Sequence, residues 1–155
     1  MKKYKIGMVQ VNNSFSGQNY LPLSLGFLVS YAEFHCKNFD DYDFLNPIYK
    51  RVPIKDAVEQ YKDCDIVAFS VYVWNNNISM RIAKALKEVN PNILTIAGGC
   101  HIPERPEYID KYMKDHPYLD IASVGEGERV FTDFLEKYPT GNWGDVESLI
   151  YRDGD

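Results

Sequence analysis

The spacing of apolar positions changes repeatedly along this chain, from short runs or alternation to a three-and-four spacing over ten or more residues. Lys5–Val11 alternates and is rich in Ile, Met and Val, which predicts a first strand. Asn12–Tyr20 is Asn, Ser, Gly and Gln almost throughout, a composition that predicts a loop. Leu21–His35 then places Leu21, Leu25, Leu28 and Ala32 on one helical face, with Pro22 tolerable in a first turn. Tyr42–Leu45 reads as a short edge strand, and Ile54, Ala57, Val58 and Tyr61 define a second helix after Pro53.

Asp65–Ser70 is a continuous apolar run, the pattern of a strand covered on both faces. Asn75–Asn77 offers N-cap chemistry for a third helix through Ile78, Ile82, Ala85, Leu86 and Val89, ended by Asn90-Pro91. Asn92–Pro103 supplies a fourth strand that runs into Gly98-Gly99. Pro106–His116 is a fourth helix on Ile109, Tyr112 and Met113. Leu119–Val124 is a fifth strand, and Glu126–Tyr138 a fifth helix on Phe131, Phe134, Leu135 and Tyr138. Leu149–Arg152 is either a last short strand or the start of a linker.

Five alternations of strand and helix predict parallel strands joined by right-handed crossovers. The expected fold is therefore α/β: a three-layer, doubly wound parallel sheet, flavodoxin-like or Rossmann-like, with strand order 2-1-3-4-5. In such sheets ligands sit at the carboxyl ends of the strands. That edge would carry four loops: Asn12–Tyr20, Val71–Asn77, Gly98–Pro103 and Gly125–Glu128.

Composition narrows the function classes. The 155 residues suit one domain, and 45% apolar with 25% charged residues is ordinary for a globular protein. A net charge of −5 without a Lys/Arg run gives a nucleic-acid partner no electrostatic support. No segment approaches the roughly 20 apolar residues of a membrane helix, and the apolar run after Met1-Lys2-Lys3-Tyr4-Lys5 is too short for a signal peptide. Cys36, Cys64 and Cys100 are odd in number and widely separated, which fits reduced thiols in a cytoplasmic protein. No Cys-x-x-Cys or Cys-x-x-x-Cys spacing exists to hold an iron–sulfur cluster locally.

Chemistry-bearing residues concentrate in the four loops. Asn13, Ser14, Ser16 and Gly17, followed by Leu21, can meet a ligand near a helix start, although no G-x-G-x-x-G or G-x-x-x-x-G-K-[ST] pattern is present. Ser70 and Val71 end a strand, and Tyr72, Trp74 and Asn75 follow with apolar walls and polar tips. Gly98 and Gly99 lack the Cβ atoms that would keep a ligand off the backbone. Cys100 and His101 read as rim residues, Cys100 a half-buried filler, because adjacent side chains rarely share one metal ion. Gly125, Glu126 and Gly127 form a close-approach turn, with Glu126 and Glu128 favoured by the dipole of the following helix.

Together these loops resemble the N-terminal cobalamin-binding domain of radical SAM enzymes. The likeness rests on Ser70 with Tyr72, Trp74 and Asn75, on Ala97-Gly98-Gly99 with Pro103, and on Asp120–Glu128 with its Gly-Glu-Gly-Glu element and Phe131. Leu21–Leu28 and Ile150-Tyr151-Arg152-Asp153-Gly154 share it. The resemblance implies a corrinoid on the carboxyl edge, its nucleotide tail passing Ser70 and Gly98-Gly99. On that reading Gly99→Leu would abolish binding and leave the fold intact.

Histidine-ligated cobalamin proteins carry D-x-H-x-x-G after the first strand. Here the place reads Val11-Asn12-Asn13-Ser14-Phe15-Ser16-Gly17, so no His of that loop would hold the lower cobalt face. The implied organisation is a cobalamin-binding-like domain over residues 1–145 and a linker over 146–155. A radical SAM module, with S-adenosylmethionine and the iron–sulfur cluster, would follow in the same polypeptide or act in trans. This chain alone would then not turn over, while the implied whole enzyme would transfer methyl groups or do related chemistry. Two other readings of the same fold are a flavin-binding electron carrier, suggested by Tyr72, Trp74 and the Asn/Ser-rich first loop, and a cofactor-free interaction domain.

Overall fold

A computed structural model describes residues 3–152. Met1, Lys2, Asp153 and Gly154, used in the sequence reading, lie outside the described residues. The elements in chain order are β1 (Tyr4–Val9), β2 (Ser14–Phe15), β3 (Gln18–Asn19), α1 (Leu23–His35), β4 (Tyr42–Phe44), α2 (Ile54–Tyr61), β5 (Ile66–Ser70), α3 (Asn76–Val89), β6 (Leu94–Gly98), α4 (Pro106–Asp115), β7 (Ile121–Ser123), α5 (Gly127–Lys137) and β8 (Leu149–Tyr151).

The main sheet runs β4-β1-β5-β6-β7-β8. Its first five strands are parallel, in the expected 2-1-3-4-5 order, and β8 adds an antiparallel edge against β7. Leu149–Tyr151 is thus a strand rather than a linker. Arg152 anchors its end by donating to the carbonyls of Leu119, Met113 and His116.

Two apolar clusters cover the two faces. On one, Ile6, Met8, Ile66, Ala68, Ile96 and Ile121 meet Leu25 and Ala32 of α1 and Phe131, Phe134 and Leu135 of α5. On the other, Val9, Val67, Phe69, Ala97 and Ala122 meet α2, α3 and α4 through Ala57, Ile82, Leu86, Ile109 and Met113. Adjacent strand residues point to opposite faces, which is why the apolar runs are continuous. Gly7 is fitted to this packing, since a Cβ there would stand 2.7 Å from the Tyr61 ring. Tyr61 in turn donates to the carbonyls of Met8 (2.9 Å) and Asn46 (2.7 Å), and burial pushes its pKa up to about 12.

Two elements depart from the sequence reading. Asn12–Tyr20 is not an irregular loop but a β2–β3 hairpin, whose turn residues Ser16 and Gly17 both have positive φ, 50° and 78°. Asn12 Nδ2 holds its base by donating to the carbonyls of Tyr20 and Leu21, each at 3.2 Å. Helix α1 begins at Leu23, so Leu21 precedes the helix and is 66% exposed instead of joining the buried face.

Candidate functional site

The carboxyl edge of the sheet holds a cavity of about 110 Å3 on the α1/α5 face. Its floor follows from the strand register. Ser70 pairs with Gly98, and the Ala97–Ala122 pair places Ser123 next to Gly98, so the last row of three adjacent strands is Ser-Gly-Ser. The row beneath it brings Ala68 and Ile96 to the same side. Ser24, Leu25 and Leu28 of α1 and Gly127, Glu128 and Phe131 of α5 close the opposite side. Small residues at the strand ends leave the space, while larger apolar ones line it.

The polar groups divide sharply. Ser24 Oγ donates to Gln10 Oε1 at 2.9 Å and lies 3.0 Å from Tyr72 Oη, and Ser70 Oγ donates to Ser24 Oγ at 3.4 Å. Those hydroxyls satisfy one another at the mouth. Ser123 Oγ, also lining the cavity, is buried and has no hydrogen-bond partner among the described residues. An orphaned buried hydroxyl in a ligand-edge cavity is what a site for a bound polar atom presents.

Gly98 and Gly99 prove to have different reasons for being glycine. A Cβ on Gly98 would meet Ser123 Cβ at 3.5 Å, an ordinary contact, and the position opens onto the cavity. Gly99 has φ 113°, and its Cβ would stand 2.6 Å from the Val71 carbonyl oxygen. The fold itself therefore requires Gly99, and the expectation that Gly99→Leu spares the fold is wrong. Val71 is fully buried and acts through its backbone: its N–H donates to the Gly98 carbonyl (2.7 Å), and its carbonyl accepts from the His101 N–H (3.2 Å).

The β5–α3 loop is braced by Asn75. Its Oδ1 accepts from the Tyr72 N–H (2.8 Å) and its Nδ2 donates to the Ser70 carbonyl (3.0 Å). Asn75 occupies the N-cap position of α3 but makes no side-chain cap bond, because its side chain is spent on this loop. Tyr72 and Trp74 stack at 4.6 Å with an 8° interplanar angle, and Trp74 remains 48% exposed. The pair continues into shallow depressions lined by Asn13, Tyr20 and Leu21.

Several expected residues stand apart from the cavity. Ser14 and Ser16 are exposed on the hairpin. Cys100 is exposed rather than half-buried, and the His101 ring lies 6.4 Å from that of Tyr112 on the α4 side. No set of metal-ligating side chains gathers among the described residues. Near that loop, His116 packs edge-on against Tyr112 at 4.6 Å, and burial lowers its pKa. Gly125, with φ 80°, and Gly127 line the cavity, whereas Glu126 faces a depression beside Phe27 and Phe34. Ser24, Leu28, Ser123 and Phe131 are lining residues absent from the sequence-derived site. The strand-end position of Ser123, matching that of Ser70 across Gly98, was the available signal.

Residues 6–135 match the B12-binding domain family, and the chain belongs to that family. Over 116 residues it is 39% identical to the cobalamin-dependent radical SAM methyltransferase TokK of Streptomyces tokunonensis. It is 37% identical to the 2-(S-pantetheinyl)-carbapenam-3-carboxylate methyltransferase of Streptantibioticus cattleyicolor. Each alignment takes in 75% of this chain and 17% of the relative. The cobalamin-dependent S-adenosylmethionine radical enzyme OxsB, solved with aqua-cobalamin and S-adenosylmethionine bound, shares the fold with a TM-score of 0.71 at 20% identity. That match covers 97% of this chain and 21% of OxsB. The chain thus spans about a fifth of the length of these proteins, and no helix among its described residues is long and apolar enough to cross a membrane.

Proposed function

We propose that this member of the B12-binding domain family binds cobalamin, with the nucleotide tail in the α1/α5 cavity and the corrin at the carboxyl edge. The observation that carries the reading is the Ser70-Gly98-Ser123 row, which leaves an apolar slot with one unpartnered hydroxyl at the ligand edge. Ser70, Gly98, Gly125 and Gly127 admit the tail, and the stacked Tyr72–Trp74 pair gives the corrin an apolar platform beside Asn13 and Leu21. When bound, cobalamin supplies a cobalt centre able to carry a methyl group.

The tail's base, held in the slot, is kept from the cobalt, so cobalamin binds base-off. No His of the β1–α1 segment replaces the base, and Asn12 there is already bonded to Tyr20 and Leu21. The catalytic work belongs to a radical SAM module, in the same polypeptide beyond Asp155 or in trans. Phe15, Tyr20, Leu21, Leu23, Phe27 and Val73 are large, exposed apolar side chains around this edge, the surface such a module would cover. A flavin carrier is disfavoured because the first loop folds as a hairpin rather than as a phosphate cradle.

Purified protein is mixed with hydroxocobalamin, desalted and examined by visible absorption. Retained colour and micromolar or tighter affinity are expected; a colourless protein contradicts the reading. Electron paramagnetic resonance of the cob(II)alamin form tests the lower face, where the nitrogen splitting of an axial base or His should be missing.

A further inference from the structure

Ser123 Oγ is the feature the binding reading leaves unspent. It lies on the last residue of β7, buried and without a hydrogen-bond partner among the described residues. The other hydroxyls of the cavity, those of Ser24, Ser70 and Tyr72, are engaged with one another. Around Ser123 the walls are Ile96, Leu28 and Phe131, with Gly98 at its side. Glu128 also lines the outer depression beyond the cavity, which places it at the rim rather than in the interior.

We infer that this cavity selects among cobamides by their lower base, accepting a benzimidazole and rejecting a purine, with Ser123 as the specificity-determining residue. The inference rests on the cobalamin reading above and goes beyond it. A base-off benzimidazole presents one free ring nitrogen, an acceptor that matches one free hydroxyl donor. The rest of its bicyclic ring is hydrocarbon and suits Leu28, Ile96 and Phe131. An adenine base brings two further ring nitrogens and an exocyclic amine into the same apolar surroundings. Each polar atom buried without a partner forfeits its bonds to water, so the purine loses affinity even though its size is similar.

The test uses equilibrium titration of the protein under a low-potential reductant that holds cobalt as Co(I), so that every lower base is uncoordinated in solution, with four corrinoids supplied as hydroxocobalamin, adeninylcobamide, p-cresolylcobamide and cobinamide. Adeninylcobamide should bind at least about tenfold more weakly than hydroxocobalamin, the order expected for one buried unpaired polar group. p-Cresolylcobamide, whose base has no ring nitrogen, should also bind more weakly than hydroxocobalamin. In S123A that gap should close, because only the benzimidazole loses a partner. The ratio is read on a single variant, so a change in folded fraction cancels.

Equal binding of adeninylcobamide and hydroxocobalamin would overturn the selectivity. An unchanged cresolyl-to-benzimidazole ratio in S123A would remove Ser123 from it. Cobinamide, which has no base, binding as tightly as hydroxocobalamin would show that the cavity does not hold the tail. Absence of binding by any of the four would instead defeat the cobalamin reading, and this inference with it.

Discussion

Gly98 and Gly99 both line the cavity, yet their Cβ positions face two different regions of the ligand edge. Gly98 ends β6 on the α1/α5 side, where a cavity is open and Ser123 Oγ is unpartnered. Gly99 turns toward the α3/α4 side, where the Val71 backbone fills the space and accepts from the His101 N–H, and Asn75 ties the Tyr72 N–H to the Ser70 carbonyl. One side leaves an open space and the other is filled by backbone and bonded side chains. The rigid side holds the Ser70 end of the cavity floor in place through Asn75, so the two roles are coupled by geometry.

The difference can be broken experimentally, beginning with its largest consequence. Gly98→Leu should weaken hydroxocobalamin binding at least about a hundredfold, because its side chain fills the cavity. The folded protein should survive, since Gly98 lacks a left-handed φ and a Cβ there makes only ordinary contacts. Titration and circular dichroism on the same sample check both halves. Gly99→Ala should do the reverse. It should cost about 2–3 kcal/mol in urea unfolding through its positive φ and the Val71 clash. Its folded fraction should still bind.

Asn75→Ala should cost about 1–2 kcal/mol by leaving the Tyr72 N–H and Ser70 carbonyl without their partner, again read by urea unfolding. Cobalamin affinity should fall as well, because the floor at Ser70 loses its brace.

The smallest effect concerns His116, half-buried against Tyr112 on the α4 side. Burial, offset in part by Asp115 and reinforced by His101, lowers its pKa below the ordinary 6.5. A depressed folded-state pKa means that its neutral form stabilises the fold above 6.5 and that this stability is lost as pH falls through the folded-state value. His116→Gln should flatten that part of the pH dependence, measured by urea unfolding on either side of pH 6.5. Hydroxocobalamin affinity at neutral pH should be unchanged.

Much of this organisation was legible in the residues. Helical spacing and apolar runs locate every strand of the parallel sheet, because each buried element must present a continuous or one-sided apolar surface, and the strand–helix alternation pointed to the flavodoxin-like 2-1-3-4-5 order. The convergence of the four loops at one edge follows from that order. What the pattern cannot carry is which face of the sheet holds the void. β5, β6 and β7 are covered on both faces, so small residues such as Ser70, Gly98 and Ser123 look alike whether a neighbour fills the space or not. The need for glycine at position 99 was misjudged for that reason: Gly99 lines the cavity, but its Cβ site is filled by the Val71 backbone, far away in sequence. Ser123 was missed as a site residue because a buried serine shows itself only once its missing hydrogen-bond partner is visible. Asn75 read as a helix cap because cap and loop brace use the same side chain at the same position.

The most direct measurement is a nuclear Overhauser spectrum of the labelled protein bound to hydroxocobalamin, read at the benzimidazole ring protons. Contacts to Ser123, Gly98, Leu28 and Phe131, and none to His101, are the predicted result. Benzimidazole contacts to the α3/α4 side, or a ring with no protein contacts, would contradict the placement of the tail in the α1/α5 cavity.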